Sequence, residues 1–284
     1  MNGSWLLGLS RVIPYMILTL AMMPFQAFAL RLNLPMARSW PRQYHAISCW
    51  ILGIRVVVRG TPSPSRPTLF VSNHSSYMDI QILGSLLNCS FVAKSDMIGW
   101  PIIGKLAQLQ SSVFVDRKPA NAGEHSNEVG RRLAAGDNLV LFAEGTTSDG
   151  NRLLPFKSSL LSVAENIPPE HGLVIQPVSI IATALDGMPL GRAMRPLYAW
   201  YGDMPLAPHA WAIMKAGRLT VEVEFHEAFT AGSMNRKQLT ARCEAAVEKG
   251  VVRAITGRTP LDEQSAQDTD AKGADTGDEI DAAA

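Results

Sequence analysis

From Val12 to Leu30 the chain reads VIPYMILTLAMMPFQAFAL, nineteen residues without a charge, bounded by Arg11 on one side and by Arg31, Arg38 and Arg42 on the other. As a helix, a run of this length nearly matches the hydrocarbon thickness of a bilayer. It is therefore expected to attach the protein to a membrane. Pro14 and Pro24 interrupt the run and Gln26 sits inside it, so two geometries stay open: a straight span, and a helical hairpin broken at the prolines and lying in one leaflet. A buried core helix and a signal sequence ending near Ala27–Ala29 are the alternatives. The later basic residues outnumber Arg11, which places the body of the protein on the cytoplasmic side.

The remaining chain of this 284-residue, 47% apolar sequence can bury one sizeable core. Three parts are expected: a membrane-attachment segment over 1–49, one α/β domain over 50–257, and a tail over 258–284. From Leu261 onward eight acids face only Lys272, a charge of −7 that leaves +8 on the rest of the chain. Such a tail buries too little apolar surface to offset the entropy of ordering, and is expected to be disordered. The basic body suits an anionic membrane surface or anionic substrates. No basic cluster interleaved with stacking aromatics points to nucleic acid. Cys49, Cys89 and Cys243 are widely spaced, which suggests small buried side chains in a reduced compartment rather than disulfides or a metal site.

Strand-like runs alternate with helical stretches through the body, the pattern of a mixed sheet flanked by helices. The strands are expected in IRVVVRG, TLFVS, SFVAK, SSVFVDR, NLVLFAEG, LVIQPVSII and RLTVEVEFHEAF. The last alternates with period two, which implies one solvated or membrane-facing side. Helices are expected in AGEHSNEVGRRLAAG, with Gly136 as its stop, and in SMNRKQLTARCEAAVEKGVVRAI. The stretch RPLYAWYGDMPLAPHAW, with Tyr198, Trp200, Tyr201 and Trp211 near Arg192 and Arg195, suits a membrane interface and core packing about equally.

One loop carries chemistry. In VSNHSSYMDIQIL, His74 and Asp79 follow the strand-like TLFVS. Within one regular helix they would stand about 140° apart. They can meet if His74 lies in the loop and Asp79 in the first turn of the next helix, which Ser75 or Ser76 would cap. Asp79 would then fix the imidazole tautomer and leave the other ring nitrogen as a base. Ser76-x-x-Asp79 also reads as a helix cap and nothing more. With no nucleophile elbow and no zinc helix in the sequence, a base of this kind suits attack by a substrate hydroxyl on an activated electrophile such as a thioester.

The surrounding residues resemble the glycerolipid acyltransferase family typified by 1-acyl-glycerol-3-phosphate acyltransferase. NHSSYMD resembles its N-H-x-x-x-x-D block, and KSDMIGWPIIGKLAQLQSSVFVDR its second, with Lys94, Pro101, Gly104 and Arg117 in place. FAEGTTSDGNRLLPFKSS resembles the F-P-E-G-T-R-S block, and VIQPVSI the fourth. The resemblance implies transfer of a fatty acyl group from acyl carrier protein or coenzyme A to a lipid hydroxyl, with no cofactor and no metal, at the cytoplasmic face of a bacterial inner membrane. It implies His74 as base and Asp79 as its orienting partner. Glu144, Gly145 and Thr146 would help hold the acceptor, Arg117 and Lys94 would meet an anionic headgroup, and Pro177 would shape a wall of the site. A thioester hydrolase and a non-catalytic lipid-binding membrane protein are the remaining alternatives.

Two positions depart from the family pattern. Ala143 replaces a proline, and Thr147 stands where the arginine of E-G-T-R belongs. A guanidinium grips phosphate bidentately, whereas a threonine hydroxyl brings no charge. Either Arg152 substitutes, or the acceptor is not a phosphate monoester. The third block resembles that of bacterial lyso-ornithine lipid acyltransferases, whose acceptor carries an amino-acid headgroup whose ammonium Asp149 would meet.

Overall fold

The computed structural model describes residues 3–115, 122–165, 167, 168 and 171–257, the side chains of 122–127 excepted. Arg117 and the acidic tail lie outside the described residues. The chain opens with α1 (Trp5–Arg31), capped where the Leu7 N–H donates to Ser4 Oγ at 3.3 Å. This helix runs unbroken through Pro14 and Pro24. The chain turns instead at 32–39 and returns as α2 (Trp40–Ile51), so a hairpin exists but does not break at the prolines. The domain boundary expected after residue 49 falls inside α2.

α1 is packed inside out. Its buried residues are Gly8, Arg11, Thr19, Gln26 and Ala29, while Leu6, Ile13, Ile17, Leu20, Phe25 and Phe28 are exposed. Arg11 donates through Nη1 to the Ala216 carbonyl at 2.7 Å, and Gln26 Nε2 donates to the carbonyls of Ala37 at 2.9 Å and Leu109 at 3.0 Å. Thr19 and Tyr44 join the helix pair at 3.0 Å. The polar side chains thus tie α1 to the protein along its length. Only 17% of its most apolar window is buried, unlike a core helix of this length. Trp50, near the end of α2, is 80% exposed.

Among the described residues a nine-stranded mixed sheet follows, built from β1 (Ile54–Arg59), β2 (Thr68–Ser72), β3 (Ser90–Lys94), β4 (Val113–Val115), β5 (Leu139–Phe142), β6 (Val174–Leu185), β7 (Met188–Pro189), β8 (Leu219–Phe225) and β9 (Phe229–Thr230). The order is β1-β8-β6-β2-β5-β3-β4, with β7 and β9 on β6. The core strands β2 and β5 are apolar and buried on both faces, as parallel strands covered by helices must be. One cluster of core side chains includes Phe70, Ile82, Val140 and Val223, and a second includes Leu69, Leu141, Leu239 and Val247. The helices are α3 (Met78–Leu86), α4 (Ile103–Leu109), α5 (Ala122–Ala134), α6 (Ser162–Glu165), α7 (Leu206–Lys215) and α8 (Arg236–Thr256).

The seven expected strands form, though the fourth is only three residues long and the sixth extends to Leu185. The alternating strand is β8, and its polar side is half-buried rather than open. Arg253 of α8 covers it, binding Glu222 and, at 2.7 Å, Glu224, while Arg59 meets Glu222 at 3.1 Å. The aromatic stretch is also not an interface as a whole. Tyr198 is interior, and Trp211 packs edge-on against Trp5 of α1 at 5.1 Å. All three cysteines are free.

Candidate active site

β2 and β5 are parallel neighbours that end in register at Ser72 and Phe142. Their following loops therefore leave the sheet side by side at its carboxyl edge, where open α/β sheets place their ligands. The first loop carries Asn73 and His74, the second Ala143 and Glu144. The departure at Ala143 has a structural use, since its N–H donates to the Ser72 carbonyl at 3.0 Å, a bond that a proline cannot make. Asn73 pins its loop to β6: its Nδ2 donates to the Ile180 carbonyl at 2.9 Å, and the Ile180 N–H donates to its Oδ1 at 2.8 Å.

His74 and Asp79 meet as the loop-plus-first-turn geometry requires. His74 Nδ1 lies 2.8 Å from Asp79 Oδ2, and the N–H groups of Ser75 and Ser76 donate to the same oxygen at 2.8 and 2.9 Å. The cap is not the one expected: Tyr77 is the N-cap of α3 and makes no side-chain cap bond, while Ser76 Oγ accepts from the Met78 N–H at 3.3 Å. Asp79 itself, fully buried in the first turn, satisfies the N–H groups that precede the helix. Helix capping and histidine orientation are thus one carboxylate's work. With Nδ1–H facing Asp79, Nε2 is left as the acceptor. The ring stacks on Phe142 at 3.8 Å and 14°.

Glu144 enters this arrangement through the backbone. Its Oε1 accepts the His74 N–H at 2.8 Å and its Oε2 the Leu154 N–H at 3.3 Å, so both oxygens are occupied within the protein. Burial pushes this carboxyl up to about 8, the two N–H groups pull against that rise, and the Asp79 charge adds to it. The His74 carbonyl accepts the Ser148 N–H at 2.8 Å, clamping the histidine loop from the third block on its other side. Gly145 adopts a left-handed φ of +68°, and a Cβ there would press on the Lys157 side chain at 3.1 Å.

His74 lines a cavity of about 1040 Å³ whose wall is largely apolar. Lys94, Gly145, Thr146 and Thr147 line it as well, and Met16 and Met23 of α1 close it from the opposite chain end. Trp100 and Trp200 meet edge to face at 6.3 Å in the same lining. The other expected residues stand elsewhere. Pro177 is buried in β6 opposite Val71 and does not line the cavity, and Arg152 is exposed outside the lining. Asp149 is also outside the lining. Burial would raise it, but hydrogen bonds from Asn151 and the charges of Arg152 and Arg192 hold it below its ordinary range, so its charge is met from within the protein.

Comparison with known proteins agrees with this layout. The family model described as acyltransferase matches residues 55–181, which contains both loops. The lyso-ornithine lipid O-acyltransferase of Rhizobium meliloti is 44% identical over 246 residues, 85% of this chain and 84% of that protein. The 1-acyl-sn-glycerol-3-phosphate acyltransferase of Neisseria gonorrhoeae is 32% identical over 183 residues, 63% of this chain and 67% of that protein. The crystal structure of the 1-acyl-sn-glycerophosphate acyltransferase of Thermotoga maritima superposes with a TM-score of 0.56 at 23% identity, covering 88% of this chain and all of that one, and so shares its fold. With a histidine and an aspartate joined at the carboxyl edge of the sheet, and a relative this similar across most of both chains, the protein belongs to the acyltransferase family.

Proposed function

We propose that the protein is a membrane-bound O-acyltransferase that moves a fatty acyl group from a thioester, on acyl carrier protein or coenzyme A, to the free hydroxyl of a lyso-lipid. The observation that carries this reading is His74, oriented by a buried Asp79, lining an apolar cavity. Nε2 takes the proton of the acceptor hydroxyl as its oxygen attacks the thioester carbonyl. The tetrahedral intermediate then collapses, the carbon–sulfur bond breaks, and the departing thiolate takes the proton from the imidazolium. Asp79 stabilises the cation in between, and Glu144 holds the histidine backbone in place. The cavity takes the acyl chain, and Lys94, with Arg117, meets an anionic part of donor or acceptor.

Lyso-ornithine lipid is the favoured acceptor. Thr147 lines the cavity where the phosphate-forming family pattern places an arginine, Arg152 is exposed outside the lining, and the relative at 44% identity carries the lyso-ornithine name. Loss of a charge-assisted bidentate contact is worth roughly tenfold to a hundredfold in discrimination. Competition between the two lyso-lipids for a labelled acyl donor should therefore yield mostly acylated lyso-ornithine lipid, and Thr147→Arg should raise the share of phosphatidate. A strong preference for lysophosphatidate that survives Arg152→Ala would replace this assignment by the phosphatidate-forming one.

Attachment rests on α1, whose polar side chains face the protein and whose apolar ones face outward. That distribution suits a helix bathed in lipid on its outer side and held by the protein on the other, lying along the membrane at the cytoplasmic face of the inner membrane. The protein is expected to leave membranes with detergent and to stay with them in high salt, because apolar contact is not screened. Its release by salt alone would show that the basic body, rather than α1, does the binding.

A further inference from the structure

We infer that Tyr198 is a positioning residue of the acyl-transfer site: its hydroxyl satisfies the second oxygen of Asp79 and so sets how strongly the first holds the imidazolium of His74. The inference rests on the reading of His74 as base. Asp79 is fully buried, and three N–H groups share its Oδ2. Among the described residues its Oδ1 accepts from the Tyr198 hydroxyl alone. Without that donor a carboxylate oxygen would be buried without a partner, while the Ser75 and Ser76 N–H groups still hold the other oxygen at His74, so the imidazole would face the less neutralised charge.

The segment around Tyr198 is built to deliver this contact. A 3-10 turn at Arg192–Leu197 ends where the N–H groups of Tyr198 and Ala199 both donate to the Arg195 carbonyl at 2.9 Å. Two residues on, the Trp200 N–H donates to the Ser75 carbonyl at 2.8 Å, so backbone and side chain both fasten this stretch to the histidine loop. The ring itself lies in the core cluster of Phe70 and Ile82, which a phenylalanine would fill equally well. Packing therefore does not account for the hydroxyl. Tyr198 lies beyond residues 55–181, where the family match ends.

The phenol stays a donor throughout the working range, because burial and the Asp79 charge raise it well above its ordinary value. The other ionisable groups facing the cluster are Cys49 of α2, held up to about 12 by burial, Tyr77 at the head of α3, also raised by burial, and Glu144 after β5. Lys94, Asp96, Asp203 and His45 line the adjoining cavity.

Removing the hydroxyl has a defined sign. An Asp79 anion deprived of a donor binds the imidazolium proton more tightly and also takes up its own proton at higher pH. Both effects move the acid limb of the kcat/KM profile upward. Tyr198→Phe is expected to shift that limb up by roughly one pH unit and lower kcat about tenfold at neutral pH, with the acceptor KM unchanged. A ring-fluorinated tyrosine at 198, a stronger donor, is expected to shift the limb downward in the full-length, detergent-solubilised enzyme. A limb that stays put in both proteins overturns the inference, and if Tyr198→Phe does not fold, the fluorinated enzyme alone decides. His74→Ala is measured alongside: full turnover there removes the base itself, whereas lost turnover with an unmoved limb rejects only the role of Tyr198.

Discussion

His74→Ala is expected to lower kcat by about two to four orders of magnitude, the usual range for a lost general base, while the protein folds and stays with membranes. The fold should tolerate the change because the loop is held by backbone contacts rather than by the ring. Glu144 takes the residue 74 N–H, Ser148 donates to its carbonyl, and Asn73 grips β6 on both sides of Ile180. What the alanine removes is the stack on Phe142 and the bond to Asp79. Turnover of labelled acyl donor by purified protein, with circular dichroism as the control for folding, makes the measurement. Near-normal turnover by a folded variant would eliminate the proposed mechanism.

Asp79→Asn should cost about 10²- to 10³-fold in kcat with little loss of stability, somewhat less than the loss of the base itself. The reason lies in the donors around the side chain. The N–H groups of Ser75 and Ser76 both point at the Oδ2 position, so an asparagine must place its carbonyl there and its NH₂ toward the oxygen of Tyr198. That orientation keeps the imidazole tautomer correct and removes only the negative charge that stabilises the imidazolium. Asp79→Ala is different, since it strands three N–H donors and a phenol in a buried site and should destabilise the protein by about 3 kcal/mol or more. Thermal unfolding separates the two. An asparagine variant as unstable as the alanine one, or one with full turnover, would show that the charge is not what the site uses.

Local pattern carried much of this into the sequence. The strand TLFVS, the loop after it and the helix after that are close in the chain, so turn geometry alone could show that His74 and Asp79 are able to meet, with a bare helix cap left open beside that reading. The strands of the central sheet were legible for the same reason, because a doubly buried parallel strand is a short apolar run. Long-range contacts were not. Tyr198 reaches Asp79 across 119 positions, and in the sequence it was only one aromatic among several. Glu144 could be placed near the site by its block, but whether its oxygens face a ligand or the backbone depends on the side-by-side exit of two loops from neighbouring strands. The prolines of α1 left a break open in the sequence because a proline removes one helical bond and kinks most helices, whereas here the helix runs through both, with contacts from Arg11 to Gln26 holding it along the protein. The Thr147 departure was visible in the sequence, and the structure adds that this residue lines the cavity while Arg152 does not.

α1 contributes Met16 and Met23 to the cavity wall while presenting Ile17 and Leu20 outward. On the proposed attachment, one helix would be the partition between the bilayer and the reaction chamber. An amphiphile that reaches the chamber past such a partition is drawn from a two-dimensional pool, and its supply is set by how many such molecules occupy each unit of membrane area rather than by how many are present per volume of solution. Kinetic constants for the acceptor then carry the dimension of a surface mole fraction. Adding inert lipid at fixed total acceptor is then expected to slow the enzyme, just as dilution slows an ordinary reaction in water.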